Sequence, residues 1–190
     1  MQQNQNINIE VVKEMKIVGF ILRSYLKTCS NTAFIVKKAY GRMWILRRLK
    51  ALGATRTRLL DVLQKQFLST LHLGVPAWDC LLTEQKKVDN ERVLKTGLKI
   101  IWGQDYTNFE EVTQEGNIKN IRQVREQIVK KFVRKSTKSS KFRKWFSEST
   151  DPGMNTRAGI RTKFKPVSAK KMFYKNSPIP TLNNIANTQL

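Results

Sequence analysis

Arg42-Met43-Trp44-Ile45-Leu46-Arg47-Arg48-Leu49-Lys50-Ala51-Leu52-Gly53 is apolar and basic at once. Met43, Leu46 and Leu49 recur at the three-residue spacing of a helix's buried stripe. Arg42, Arg47, Arg48 and Lys50 crowd around that stripe. Gly53 then stops the helix, as a glycine just past a helix C-terminus does. A helix of this kind packs on one side and offers positive charge on the other. That charge meets either water or a phosphate backbone.

Upstream, the same period carries the helix back to about residue 32. Its inward stripe is Ile35/Val36, Ala39, Met43, Leu46 and Leu49, with Lys37, Lys38, Arg42 and Arg48 off it. Ser30 or Asn31 can cap it after a loop over 24–31. Residues 7–13 and 16–22 predict two short strands joined at Glu14-Met15. Two strands alone are marginal and need a helix or a sheet partner. Residues 1–6 are Gln/Asn-rich, and disorder is expected there.

Downstream, Gly53-Ala54-Thr55 breaks the chain, and Thr55 can cap a second helix over about 56–73 with Leu60, Leu63, Phe67 and Leu71 inward. Gly74-Val75-Pro76 ends it, and Trp78 is expected to plug the core between helices. Thr83 caps a third helix over about 84–102, with Val88, Glu91, Leu94, Leu98 and Ile101 on one face. A carboxylate on a buried face needs a partner, so Glu91 is expected to meet an arginine or several N–H donors. Thr107 or Asn108 can cap a short helix ending near Gly116. A fourth long helix, over about 119–136, places Ile121, Val124, Ile128 and Phe132 inward. Residues 148–190 show little periodicity beyond one possible turn over 182–185. The expected fold is mainly α: a short N-terminal β-hairpin (7–30), a helical bundle (31–147) and an irregular, basic, Pro-containing C-terminal tail (148–190).

The charge balance narrows the function. Net charge over the 190 residues is +22, an excess that points to a polyanion, most often nucleic acid. Residues 1–120 carry 19 basic and 11 acidic groups, whereas residues 121–190 carry 17 and 3. A basic arm therefore follows a milder body. The N-terminus lacks the apolar core of a signal peptide, and no run approaches the roughly 18 apolar residues of a membrane span. An intracellular protein of the nucleus or cytoplasm, with no membrane partner, is expected. Cys29 and Cys80 make no C-x-x-C pair and read as reduced thiols. With His72 they do not complete a zinc site, and no metal or cofactor is expected.

Catalytic groups are sparse. H-E-x-x-H, G-x-S-x-G and Gly-rich phosphate loops are missing. The five aspartates are scattered, and none forms the paired turn that holds two metal ions in polymerases. Glu110 and Glu111 are neighbours that point apart on a helix and read as N-terminal helix charges. His72 reads as a core or helix-terminus residue. The basic groups are more informative. Residues 119–145 hold eleven Lys or Arg and one Glu, interleaved with Phe132, Phe142 and Trp145. Lys130, Lys131, Arg134 and Lys135, followed by Lys141, Arg143 and Lys144, are candidates for phosphates, and the aromatics for stacking on bases.

The order of segments adds a resemblance. Val12-Lys-Glu-Met-Lys-Ile-Val-Gly-Phe-Ile-Leu22 is followed by Leu26-Lys-Thr-Cys-Ser-Asn31, Ile35-Val-Lys-Lys-Ala39 and the opening stretch. Then come Gly74-Val-Pro-Ala-Trp78, Leu82-Thr83, Glu91-Arg-Val93, Leu98-Lys-Ile-Ile101, Gly103-Gln-Asp-Tyr106 and Asn176-Ser-Pro-Ile-Pro180. This ordered set resembles the C-terminal part, end of palm plus thumb, of jockey-like non-LTR retrotransposon reverse transcriptases, which are RNA-directed DNA polymerases. Where that family often reads Asp-Leu-Lys-Trp, this chain has Tyr25-Leu-Lys-Thr28.

The resemblance implies several things. Lys16, Ile17, Val18 and Gly19 correspond to the primer-grip strand. Lys37, Lys38, Arg42, Arg47, Arg48 and Lys50 lie on the thumb helix that runs beside nucleic acid. The catalytic aspartates belong upstream of this region, so the chain alone is expected to be non-catalytic and to bind RNA or RNA–DNA duplex through phosphates. Its other expected partners are the palm and fingers of a parent polymerase. The alternatives are a degenerate element fragment without a selected role or a host interaction module reusing the fold. A ribosome-associated basic protein fits the charge but not the ordered motifs.

Overall fold

The computed structural model describes residues 12–17, 20–23, 29–142, 144–148, 163–168 and 172–189. The expected disorder of residues 1–6 lies outside them. The chain is mainly helical. Strands β1 (Glu14–Ile17) and β2 (Phe20–Arg23) pair antiparallel, with Glu14 opposite Arg23 and Ile17 opposite Phe20. The hairpin is thus shifted from the expected strands, and Glu14 and Met15 lie within β1 rather than at the turn.

Helix α1 (Cys29–Ala51) follows. Ile35, Ala39, Met43 and Leu46 are buried, with Val36 and Leu49 packed partly against them, as the periodicity predicts. Asn31 does not cap this helix. It lies within the first turn, and its Oδ1 accepts the N–H of Ile21 at 3.2 Å, tying the hairpin to α1. Beyond Ala51, Ala54 N–H reaches Leu49 O and Gly53 N–H reaches Lys50 O, both at 3.0 Å, with Gly53 at φ 79°. That pair of bonds is a Schellman motif, which a left-handed glycine completes.

The second helical run changes type along its length. It is α-helical over Arg56–Val62 (α2), π-helical over Leu63–Leu68 and α-helical again over Ser69–His72 (α3). The wider π turn, with its i to i+5 bonding, lets Leu63 and Leu68 both be buried with Phe67 and Leu71. Thr55 stands at the N-cap with extended backbone but makes no capping bond. Gly74 takes φ 60° before the short α4 (Val75–Trp78). Trp78 is buried as expected, and its Nε1 donates to Leu73 O at 2.8 Å.

Helix α5 (Glu84–Trp102) is the central element, contacting α1, α2, α6 and α7. Thr83 caps it through Lys86 N–H, and Asn108 caps α6 (Phe109–Glu115) through Glu111 N–H. Its buried face is Asn90, Val93, Leu94, Gly97, Leu98, Ile101 and Trp102. Val88, expected on that face, is 44% exposed. A Cβ at Gly97 would stand 2.5 Å from Leu63 Cδ1, so glycine is what allows the π segment to approach α5. Helix α7 (Ile121–Ser136) is rotated from the expected stripe. Ile121, Arg125, Val129 and Val133 are buried, while Val124, Ile128 and Phe132 are half-buried. The burial of an arginine displaced the inward line.

The C-terminal stretch departs most from its expected irregularity. Glu148 bridges Phe164, α8 spans Met172–Lys175, and α9 runs over Pro178–Gln189. Proline is tolerated in a helix's first turn, where its missing N–H has no intrahelical role. Pro178 and Pro180 therefore begin a helix instead of preventing one. Leu182 and Ala186 are buried as α9 packs on α4 and α7.

Candidate nucleic-acid interface

The basic residues divide into those the fold uses and those it leaves to solvent. Lys50 belongs to the first group. Its Nζ donates to Ile100 O and Ile101 O at 2.9 Å each, satisfying carbonyls in the last turn of α5. Gly103, at φ 63°, leaves room for that ammonium, since a Cβ there would lie 2.5 Å from it. Arg42 is half-buried, with long bonds from Nη1 to Gln66 O (3.5 Å) and Thr70 Oγ1 (3.4 Å). Arg56 pairs with Asp105 and Glu115 and lies over the Trp102 ring. Lys95 and Lys99 lie over Phe109 and Tyr106.

Arg125 is the most deeply committed cation. Its side chain is 4% exposed, and Nη2 donates to Leu71 O at 3.1 Å while Nη1 faces Asp79 Oδ1 at 3.4 Å. The guanidinium centre lies 4.7 Å from the Trp78 ring centroid. Burial pushes the Asp79 carboxyl up against the pull of Arg125, and pushes Glu91 up against nearby N–H donors. Glu91 Oε1 accepts Arg122 N–H at 3.2 Å, so the expected donor is backbone at the start of α7. Burial, and then the charge of Arg125, lowers His72 to about 4, leaving it neutral near pH 7. Asp79, Glu91 and Arg125 line a cavity of about 300 Å³ beneath α9 with Cys80, whose thiol burial pushes up. A thiol held protonated is a poor nucleophile. Among the described residues no three His, Cys, Asp or Glu side chains cluster as metal ligands do.

Of the residues expected to meet phosphates, those left to solvent lie on α1 and on or just beyond α7, while other exposed cations, such as Arg58 on α2 and Lys175 on α8, lie elsewhere. On α1, Lys37, Lys38, Arg47 and Arg48 are exposed and have no ion-pair partner among the described residues. Lys131, Arg134 and Lys135 on α7, with Lys141 and Lys144 beyond it, are also exposed. Lys130 is instead half-buried and paired with Glu126. Arg143 lies outside the described residues. Both helices, α1 and α7, pack against α5. Of the primer-grip-like residues, Lys16 is exposed on β1 with its ammonium 5.0 Å from the Phe34 ring centroid. Ile17 ends that strand, and Val18 and Gly19 lie outside the described residues.

The aromatics are distributed differently from expectation. Phe132, Phe142 and Trp145 pack on one another, with centroids 5.8 and 4.9 Å apart, and are half-buried. Among the described residues the exposed rings are Tyr40 (39%) and Trp44 (59%), both on α1, and Tyr174 (42%) on α8. Hydrophobic-stripe reasoning passes over the α1 pair because Trp44 adjoins buried Met43. Their spacing with Lys37 and Arg48 on one helix face was the available signal.

No family model, curated protein or solved structure matches the chain. No helix among the described residues is long and apolar enough to cross a membrane.

Proposed function

We propose that this chain is a nucleic-acid-binding helical module, the non-catalytic palm-end and thumb part of a jockey-like retrotransposon reverse transcriptase. It holds RNA or an RNA–DNA template–primer duplex through phosphates, and the palm and fingers of a parent polymerase are its other partners. It acts inside the cell, in the nucleus or cytoplasm. The observation that carries this reading is the set of exposed cations on α1, Lys37, Lys38, Arg47 and Arg48, which have no ion-pair partner among the described residues. The α7 surface adds five more exposed cations, Lys131, Arg134, Lys135, Lys141 and Lys144. Cations used to stabilise the fold have acceptors or rings as partners, as Arg125, Arg56 and Lys50 do.

Phosphate neutralisation releases condensed counterions, so the binding constant falls steeply with salt. Contact with six to ten phosphates lowers affinity by roughly 10³–10⁵ between 50 and 200 mM salt. Titrating an RNA–DNA duplex by fluorescence anisotropy across that range tests the reading. Absence of binding at the low-salt end would overturn it.

A further inference from the structure

The outer face of α1 carries more than charge. Lys37, Tyr40, Trp44, Arg48 and Ala51 follow at i, i+3, i+7, i+11 and i+14, and all are exposed. On a helix this spacing forms one continuous line, so the two exposed rings stand between cations. Trp44 is the largest exposed aromatic of the molecule among the described residues, with over half of its surface in water. At the Tyr40 end the line meets a groove of about 330 Å³ between α1 and α5, where Lys86 and Arg92 share the single carboxylate of Asp89. Gly41 adjoins this line, and a Cβ there would meet nothing within 4 Å.

Phosphates alone do not require exposed rings, and water does not favour them. Rings between cations are the pattern of surfaces that track a single strand, with aromatics taking bases and cations taking the backbone. Spacing separates this from duplex binding. Tyr40 and Trp44 are four residues apart, about 6 Å along the helix axis. Stacked bases rise only ~3.4 Å per step. Successive bases of an intact duplex do not reach both rings, and their faces are already covered by neighbours. An unstacked strand has free faces and no fixed rise.

The geometry points to α1 as the seat of an unpaired nucleic-acid strand. Trp44 and Tyr40 stack on its bases, and Lys37, Arg47 and Arg48 hold its phosphates. This rests on the proposed nucleic-acid function and refines it, leaving paired regions to the α7 surface.

The test compares Trp44→Ala, Trp44→Phe and the wild-type chain on three probes: unstructured oligouridylate, oligothymidylate and a blunt RNA–DNA duplex. Loss of a stacking partner corresponds to roughly 5- to 150-fold weaker binding. Trp44→Ala is expected to show that loss on both single strands, with an unchanged salt slope, and to leave the blunt duplex within about twofold. Trp44→Phe is expected to retain most single-strand affinity. Equal losses on all three probes, or no loss on either single strand, overturn the inference while leaving the proposed function standing. A change in oligomeric state on sedimentation of Trp44→Ala, with single-strand affinity intact, overturns it in favour of a protein partner on this face. If the wild-type chain binds none of the probes at low salt, the proposed function falls with it.

Discussion

Gly41 and Gly97 show how one residue type serves opposite ends within helices. Gly41 stands in α1 with nothing near its missing side chain. Gly97 stands in α5 with Leu63 pressed to within 2.5 Å of where a Cβ would be. Glycine inside a helix costs about 0.5–1 kcal/mol relative to alanine. Gly41→Ala is therefore expected to stabilise the chain by about that much. Gly97→Ala makes the same helix gain but overpacks a core site, at roughly 1–3 kcal/mol, because Leu63 is fully buried. Thermal melts of the two variants should shift in opposite directions, and a rise for both would show that Leu63 moves aside freely. Sequence reading separated neither glycine from the other, since both interrupt good helical patterns. It had no means of seeing that Arg125 is inside: arginine is normally exposed, and the rotation of α7 follows from that exception.

At the scale of elements, the legible parts were those with local causes. The stripe of α1 and its glycine stop, and the caps at Thr83 and Asn108, are written within a few residues of where they act. Helix α9 is hidden in the sequence because most of its holding contacts are small or polar. Asn183 Nδ2 donates to Trp145 O at 3.2 Å. Asn187 both accepts from Phe164 N–H (2.8 Å) and donates to Phe164 O (3.0 Å), fastening a distant segment. Hydrophobic periodicity is blind to such bonds. The readable signal was Ser177 followed by proline in the first turn. Leu182 is the main apolar anchor, at 3% exposure. Leu182→Ala is expected to cost about 2–5 kcal/mol, measurable by urea denaturation. A loss under 1 kcal/mol would mean that the asparagine bonds alone hold α9.

Across the whole molecule, a net charge of +22 works against compactness. Like charges repel, and the fold pairs only some of them, as with Lys65 and Asp61 or Arg122 and Glu84. The Debye length falls from about 30 Å at 0.01 M to 8 Å at 0.15 M ionic strength, so added salt screens that repulsion. Without nucleic acid, the melting midpoint is expected to rise by several degrees across that range, while affinity for any polyanion falls. A midpoint that drops with salt would show that ion pairs outweigh the repulsion. The overall charge and the mainly helical class were visible in composition and period. Which cations the fold takes up, such as Arg125 and Lys50, and which it leaves exposed was not, because it depends on how the helices pack around α5.

Helix α9 also carries a consequence for how the chain is made. It covers apolar side chains of α4 and α7, although about forty residues of sequence lie between α7 and its own start. Synthesis proceeds at roughly 5–20 residues per second. Several seconds therefore separate the emergence of α7 from that of the helix that covers it. Until then Val75 and Val129, which line the cavity beneath α9, lack that cover, and a chain of strongly positive net charge repels other copies of itself.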